Sequence, residues 1–355
     1  MLLPVVAIPA RNEVERLPNL LASLAAQSVA RIEQPLRIVI VLNNSDDGSS
    51  AAVSVAQARY PQLSIDLLAV SYAPEQAHVG TARKQAMDRA REYIGDSEGA
   101  ILTTDADAVP PPNWIEQNLM ALGAGAHLVG GQIFGDPAEE AAYGAGFLRR
   151  AQLIGQYGRL CDELSALIDP IAHDPWPRHQ DHTGGSLAVL ATVYDAVGGM
   201  PALPFREDLA FVDRVLAHGF RLVHPLAVTI MVSARLKGRA PGGMADCIAS
   251  WVKAEAEAEP ILVEDPQSVM ERAQKRHRIR RLLGRPAGEW EETLTELGAD
   301  PVELAALQYG PADIARLLQQ LAGNEPDAPA TRPIALALAE IETNIADVRK
   351  AEHAA

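Results

Sequence analysis

Asp105-Ala106-Asp107 sets two carboxylates one residue apart, directly after the run Ile101-Leu102-Thr103-Thr104. A hard divalent cation takes oxygen ligands, and such a pair at a strand end can hold Mg2+ or Mn2+ while leaving positions for diphosphate oxygens and water. The cation would offset the negative charge that builds on a departing diphosphate. The same triplet also serves as a turn or helix cap, and Val109-Pro110-Pro111-Pro112-Asn113-Trp114-Ile115 forces an abrupt exit and a helix start immediately after it. A second acidic pair, Glu207-Asp208, has two readings. It can cap and open a helix over Leu209–His218, where the helix dipole favours acids, or it can supply a base to a reacting hydroxyl. Gly80, Arg83 and Lys84 lie on a predicted helix, from which a guanidinium reaches a diphosphate bidentately or faces solvent.

These residues need elements that bring them together. Val5–Pro9 and Leu36–Leu42 read as buried strands, with a helix between them whose Leu17, Leu20, Leu21 and Leu24 share one face. Pro18 belongs to that helix's first turn. A third strand is expected over Ile65–Ser71, then a helix with Val79, Ala82, Ala86, Ala90 and Tyr93 toward the sheet, then a fourth strand ending at Thr104. Strands alternating with helices of this length imply βαβ units and a mainly parallel sheet. Ligands of such sheets sit beyond the carboxyl ends of the strands. Arg11-Asn12-Glu13, Asn43 to Gly48 and Asp105-Ala106-Asp107 each follow a strand, so three polar clusters should meet at one edge. Beyond Gly130 the pattern is mixed, with strand signals at Leu128–Ile133, Ser186–Leu190 and Leu226–Val232. From Met244 onward the chain is rich in Ala, Leu and Glu and reads as a helical appendage, with a loop at 324–329 before a last helix near Pro333–Lys350.

Composition bounds the possibilities. At 355 residues, one large domain with an appendage is the natural expectation. The net charge of −15 argues against general affinity for nucleic acid or anionic membrane, yet leaves room for a locally positive pocket. Two cysteines, Cys161 and Cys247, provide neither a disulfide framework nor a Cys-based zinc site and suit a reducing compartment. No signal peptide and no apolar run long enough to span a bilayer is read, so a cytoplasmic location is expected.

The motifs together resemble the family 2 glycosyltransferases of the GT-A fold. The resemblance is carried by Ile8-Pro9-Ala10-Arg11-Asn12-Glu13, Leu42 to Ser49, Gly80-Thr81-Ala82-Arg83 and Thr104-Asp105-Ala106-Asp107. It continues through Thr183-Gly184-Gly185-Ser186, Val197-Gly198-Gly199, Arg206-Glu207-Asp208-Leu209 and Arg221 with Pro225, in order, over about residues 3–245. It implies an α/β, Rossmann-like domain over residues 1–243, with a nucleotide-sugar half at 1–110, an acceptor-side half at 111–243, and a helical region at 244–355. It further implies transfer of a sugar from a nucleotide-diphosphate donor, a UDP-sugar by first expectation, to a hydroxyl acceptor of unidentified structure. Pro9, Arg11 and Glu13 would line the nucleoside pocket and Asn43, Asn44 or Asp46 would face the base. Gly80, Arg83 and Asp105 would lie on the donor's diphosphate side, and Asp105 and Asp107 would hold Mn2+ or Mg2+. Asp208, with Glu207, would act as base in an inverting reaction. Gly184 and Gly185 would line the sugar and acceptor side; Trp176, flanked by Pro175 and Pro177, is read either as a packing residue or as lining a sugar subsite. A retaining transferase and a catalytically silent nucleotide-binding scaffold are the alternatives.

This chain has Asn43-Asn44 where many relatives carry an aspartate pair. It also lacks a histidine in Val232-Ser233-Ala234-Arg235, where many supply a further metal ligand. Arg235, Lys237 and Arg239, with Gly238, Gly242 and Gly243, form a basic loop that either closes over a diphosphate or is a solvated connector. His179-Gln180-Asp181-His182 is read as an acceptor-side loop rather than a metal site. The run from Arg272 to Arg285 is read as a solvated face.

Overall fold

The structure is a computed structural model that describes residues 2–239, 242–323 and 329–354. Of the loop expected at 324–329, all but Pro329 lies outside the described residues. The chain forms two compact units: Met1–Ala142 with Gln180–Val215 and Phe220–Ser250, and Tyr143–His179 with Leu216–Gly219 and Trp251–Ala355. This differs from a single boundary at 243, because 143–179 clusters with the C-terminal helices.

The first unit is built on a sheet that begins with β1 (Leu3–Ala10), β2 (Leu36–Asn43), β3 (Leu63–Val70) and β4 (Gly99–Thr103). These four are parallel, with Val6 opposite Ile38, Ile38 opposite Ile65 and Val5 opposite Ile101. Val5–Ile8 and Ile38–Val41 are fully buried, as expected of parallel strands covered on both faces. The helix Leu17–Ala25 covers the sheet with Leu17, Leu20, Leu21 and Leu24, and the helix Val79–Ile94 with Ala82, Ala86 and Ala90. Tyr93 is half-buried instead, donating to Asp66 Oδ2 at 2.8 Å, and Ile94 takes the buried place.

Five short strands follow: β5 (Ala108–Val109), β6 (Leu128–Gly130), β7 (Gln132–Gly135), β8 (Leu187–Leu190) and β9 (Leu222–Val223). β10 (Thr229–Val232) completes the unit. The large sheet has the order β3-β2-β1-β4-β8-β6-β9, with β8 antiparallel to both its neighbours. Because β8 runs backwards, the residues preceding it arrive at the edge where β4 ends, with Leu187 opposite Thr103. A second sheet, β5-β10-β7, places Val232 opposite Ala108.

The expected single strand Leu128–Ile133 is two strands in different sheets, broken at Gly131. A Cβ there would come within 2.2 Å of Ser186 Oγ, so only glycine permits the crossing. The expected Leu226–Val232 is likewise strand only from Thr229.

The second unit contains the 25-residue helix Gly144–Ile168, which the sequence pattern did not reveal. Its Tyr157 and Leu164 pack with Val269, Ala337 and Ile341, from the helices Pro266–Arg280 and Ile334–Ala354. A second cluster joins Ile279 and Leu282 to Trp290, Leu294, Ile314 and Leu317. The helical reading of the tail is right in the main. It omits a two-stranded sheet, β11 (Leu262–Glu264) with β12 (Thr331–Pro333). Among the described residues no helix is long and apolar enough to cross a membrane.

Candidate functional site

The carboxyl ends of β1, β2 and β4 carry the polar clusters named above. Asn12 and Asn44 both adopt positive φ, 52° and 48°, which turns the chain sharply at each strand end. The two loops interlock: Asn12 N–H donates to Ser45 Oγ at 3.0 Å and Asp46 N–H donates to Asn12 Oδ1 at 3.0 Å. Glu13 N–H donates to Ser49 Oγ and Val14 N–H to Asp47 Oδ2. Burial pushes the Asp47 carboxyl up, but the hydrogen bonds it accepts from Ser49 and Val14 outweigh burial and hold it below its ordinary value.

Asn43 is 2 % exposed, and its amide donates to His78 O at 3.1 Å. Its Oδ1 is buried with no hydrogen-bond partner among the described residues. Asn44 instead clasps Tyr72 in both directions, Nδ2 donating to Tyr72 O and Oδ1 accepting from Tyr72 N–H. Asp46 is exposed, Pro9 is buried within β1, and exposed Arg11 donates to Ala77 O at 3.3 Å.

Arg83 is the centre of a buried network. Its Nε donates to Glu207 Oε1 (2.9 Å) and its Nη1 to Thr103 Oγ1 (3.0 Å) and Gly184 O (2.8 Å). Its Nη2 donates to Asp105 Oδ1 (2.8 Å). Four of its five N–H groups are thus committed within the protein. Burial opposes its charge, but Asp105, Glu207 and Asp208 together hold the guanidinium firmly protonated. These bonds tie Arg83 to Asp105 and to the carbonyl of Gly184. Lys84 makes an i,i+4 ion pair with Asp88 on a half-exposed face, matching its solvated reading.

Two glycines are required here. A Cβ on Gly184 would lie 2.5 Å from Arg83 Cζ, and one on Gly80 would lie 2.0 Å from Leu203 O. Gly80→Ala must push the helix Val79–Ile94 away from the backbone of the 201–206 loop, which leads into Glu207. A loss of about 1–3 kcal/mol is expected, read as a lower urea midpoint at unchanged m.

The helix expected over Leu209–His218 runs over Glu207–Ala217, so buried Glu207 and Asp208 are acids of its first turn rather than residues ahead of it. Asp208 Oδ2 accepts from Gly184 N–H at 2.6 Å and its Oδ1 from Leu209 N–H at 2.8 Å. Gly185 lies beside Asp105: a Cβ on it would meet Asp105 Oδ2 at 3.5 Å. Thr104 Oγ1 donates to Gly185 O, and Trp114 Nε1 donates to Ser186 Oγ, which holds the 183–186 turn against β4. Trp176 lies in the second unit and is exposed. His182 and His224 are brought together, Nδ1 to Nε2 at 3.1 Å, a pairing that neither residue's sequence neighbourhood announced.

Asp107 stands opposite Arg235, which follows β10 because Val232 pairs with Ala108. The Arg235 guanidinium lies 3.0 Å from Asp107 Oδ2 and grips Glu13 with both Nη groups, at 2.6 and 2.8 Å. Glu13 therefore forms a buried ion pair at the site's floor. From sequence, Arg235 belongs to a loop that faces a diphosphate or solvent, and only the strand pairing identifies its carboxylate partners. Burial, with Asp105 and Glu13 nearby, pushes the Asp107 carboxyl up to about 7 against the pull of Arg235.

Among the described residues no three His, Cys, Asp or Glu side chains form a ready-made cation cluster. Asp105 and Asp107 are two hard oxygen donors, and Asp105 Oδ2 takes no hydrogen bond from another described residue. Such a pair of hard oxygen donors fits a divalent cation that completes its coordination with oxygens from outside the protein.

Residues 5–169 match the family model described as Glycosyl transferase family 2. No curated protein sequence matches the chain. Among solved structures, a mannosyltransferase from Pyrobaculum calidifontis in complex with GDP-Man and Mn2+ is similar at 16 % identity and TM-score 0.47, over 91 % of this chain and 88 % of that one. S. aureus TarS 1–349 in complex with UDP is similar at 12 % identity and TM-score 0.46, over 94 % and 96 %. Glucosyl-3-phosphoglycerate synthase from Mycobacterium tuberculosis, with Mn2+, UDP-Glc and phosphoglyceric acid, is similar at 14 % identity and TM-score 0.39, over 73 % and 80 %.

Proposed function

We propose, for a chain whose residues 5–169 match the Glycosyl transferase family 2 model, a metal-dependent transferase that uses a nucleoside-diphosphate sugar and inverts the anomeric centre. One observation carries the reading: Asp105 and Asp107 follow β4 on the same sheet edge as Asn43 at the end of β2, and Arg83 and Gly184 link Asp105 to Asp208. The buried Oδ1 of Asn43 is a polar atom left without a partner among the described residues, and a base that binds beside β2 would have to open the Asn43–His78 contact to reach it. Pro9, Arg11, Glu13, Asn44 and Asp46 would lie on the nucleoside side of the site.

Asp105 and Asp107 would hold Mn2+ or Mg2+, which when bound supplies charge stabilisation to the leaving diphosphate. Arg83 orients Asp105 and, through the carbonyl of Gly184, the turn that touches Asp208. Asp208 is fixed by two backbone N–H groups, and each carboxylate oxygen keeps a second lone-pair direction for an acceptor hydroxyl. In that role it takes the hydroxyl proton as the sugar's anomeric carbon is attacked from the face opposite the nucleotide. A UDP-sugar is the first donor to try, and a cytoplasmic setting suits two free cysteines.

Calorimetric titration with UDP, GDP and dTDP, with and without Mn2+, tests the donor site. We expect metal-dependent binding of one nucleotide, lost in Asp107→Ala. Equal binding with and without metal, or binding indifferent to Asp107, overturns the metal assignment. The configuration of the product's anomeric carbon tests inversion.

A further inference from the structure

The guanidinium of Arg235 stands beside Asp107, where a divalent cation held by Asp105 and Asp107 would bring a second positive charge. Its Nη2 is 3.0 Å from Asp107 Oδ2. Both Nη groups are also hydrogen-bonded to Glu13, which is only 4 % exposed, so solvent screens the arrangement poorly. A dication drawn to Asp107 meets this resident cation across the same carboxylate.

The segment bearing Arg235 is anchored. Glu139 Oε2 accepts from Ser233 Oγ (2.8 Å) and from Ala234 N–H (2.7 Å), Ala234 is fully buried, and Arg235 N–H donates to Ser233 Oγ (3.3 Å). The guanidinium can change partners by side-chain rotation, with the backbone held. Glu13 would not be stranded by its departure. Arg239 Nε already lies 3.6 Å from Glu13 Oε1, and Arg239 Nη2 donates to Asn12 O at 2.8 Å. A second cation therefore stands ready at the same buried acid.

We infer that Arg235 is an exchangeable counter-cation: in the empty protein it competes with the metal for Asp107, and the donor's diphosphate draws it off so that metal and nucleotide bind cooperatively. The inference rests on the proposed donor-site reading and adds to it a defined competitor. A diphosphate adds acceptors for the guanidinium, whose fork matches phosphate oxygens. Its arrival frees Asp107 for the metal. By linkage the metal must then favour the nucleotide by the same factor, with couplings of ~5–150-fold typical of such effects.

The test is Mn2+ binding to the nucleotide-free full chain, read from the electron paramagnetic resonance signal of unbound Mn2+, for wild type, Arg235→Gln and Arg235→Lys. Removing the competitor is expected to tighten Mn2+ about tenfold in Arg235→Gln, within the usual range of coupling. Arg235→Lys keeps a charge but loses the fork, and should tighten Mn2+ by a smaller factor. It also supplies the result if the glutamine variant does not fold. Calorimetry with UDP and GDP in the presence of Mn2+ should show the opposite sign, with weaker nucleotide binding in Arg235→Gln. Unchanged or weakened Mn2+ binding in a folded variant overturns the inference while leaving the metal site standing. No Mn2+ binding to wild type or variants, with or without nucleotide, overturns the metal site and the inference together.

Discussion

Asp208→Asn is expected to lower kcat by about 10²–10⁴-fold while leaving calorimetric affinity for the donor nucleotide within about twofold of wild type. The substitution is nearly isosteric. Its side-chain carbonyl can still accept from Gly184 N–H, as Asp208 Oδ2 does at 2.6 Å, so the 183–186 turn keeps its anchor. What is lost is the capacity to take a proton, together with the Oδ1 acceptor of the helix-opening Leu209 N–H. Loss confined to kcat marks a group acting on the reacting hydroxyl, whereas parallel loss of donor affinity would mark a structural role. A variant with wild-type kcat would move the base elsewhere and remove the main support for inversion.

Arg83→Met should destabilise the fold more than Gly80→Ala does. Arg83 is 3 % exposed, and its Nε partner Glu207 has a side chain only 5 % exposed, so the change leaves a buried carboxylate without its cation. Breaking such a pair from one side costs about 3–5 kcal/mol. Asp105, at 40 % side-chain exposure, is rehydrated easily and adds little to that figure. Combining Arg83→Met with Glu207→Gln should recover part of the loss, because the stranded charge is gone. Urea denaturation of the two single variants and the double variant reads the coupling directly. If the double variant is as unstable as the sum of the singles, the pair is not what holds this region. Donor binding should fall in Arg83→Met even where the protein is folded, since Asp105 loses its orienting bond.

The convergence of β1, β2 and β4 was legible in the sequence because buried parallel strands leave continuous apolar runs, and the polar residues after each run then fall on one edge. Local signals carry no information about partners 100 or more residues away. Arg83 was recognisable as a site residue, yet its bond to Glu207, 124 positions distant, was not. The same holds for Arg235 and Glu13, 222 positions apart. The helix Gly144–Ile168 was hidden for a different reason. Gly144, Gly146, Gly155 and Gly158 weaken its propensity and mimic turn punctuation. Its stability comes from packing against helices more than a hundred residues later. β12 was hidden by Pro333 at its end, and β5 is only two residues long. The site was therefore legible as a set of residue types and illegible as a set of pairings.

The reversed strand β8 has a consequence for how the protein is made. It lies between β4 and β6 in the sheet, though the chain makes β4, β5, β6 and β7 first. A nascent chain therefore carries β4 with one bare flank until residues 187–190 emerge. β4 is short and wholly apolar in its first four residues, Gly99-Ala100-Ile101-Leu102, the kind of open edge that invites pairing with a stranger. Chains stalled or truncated between about 104 and 186 should aggregate, while those released after β8 should not. Synthesis through that interval is the stage at which this fold most needs a chaperone, and a recombinant fragment meant to isolate the nucleotide half should extend past Leu190.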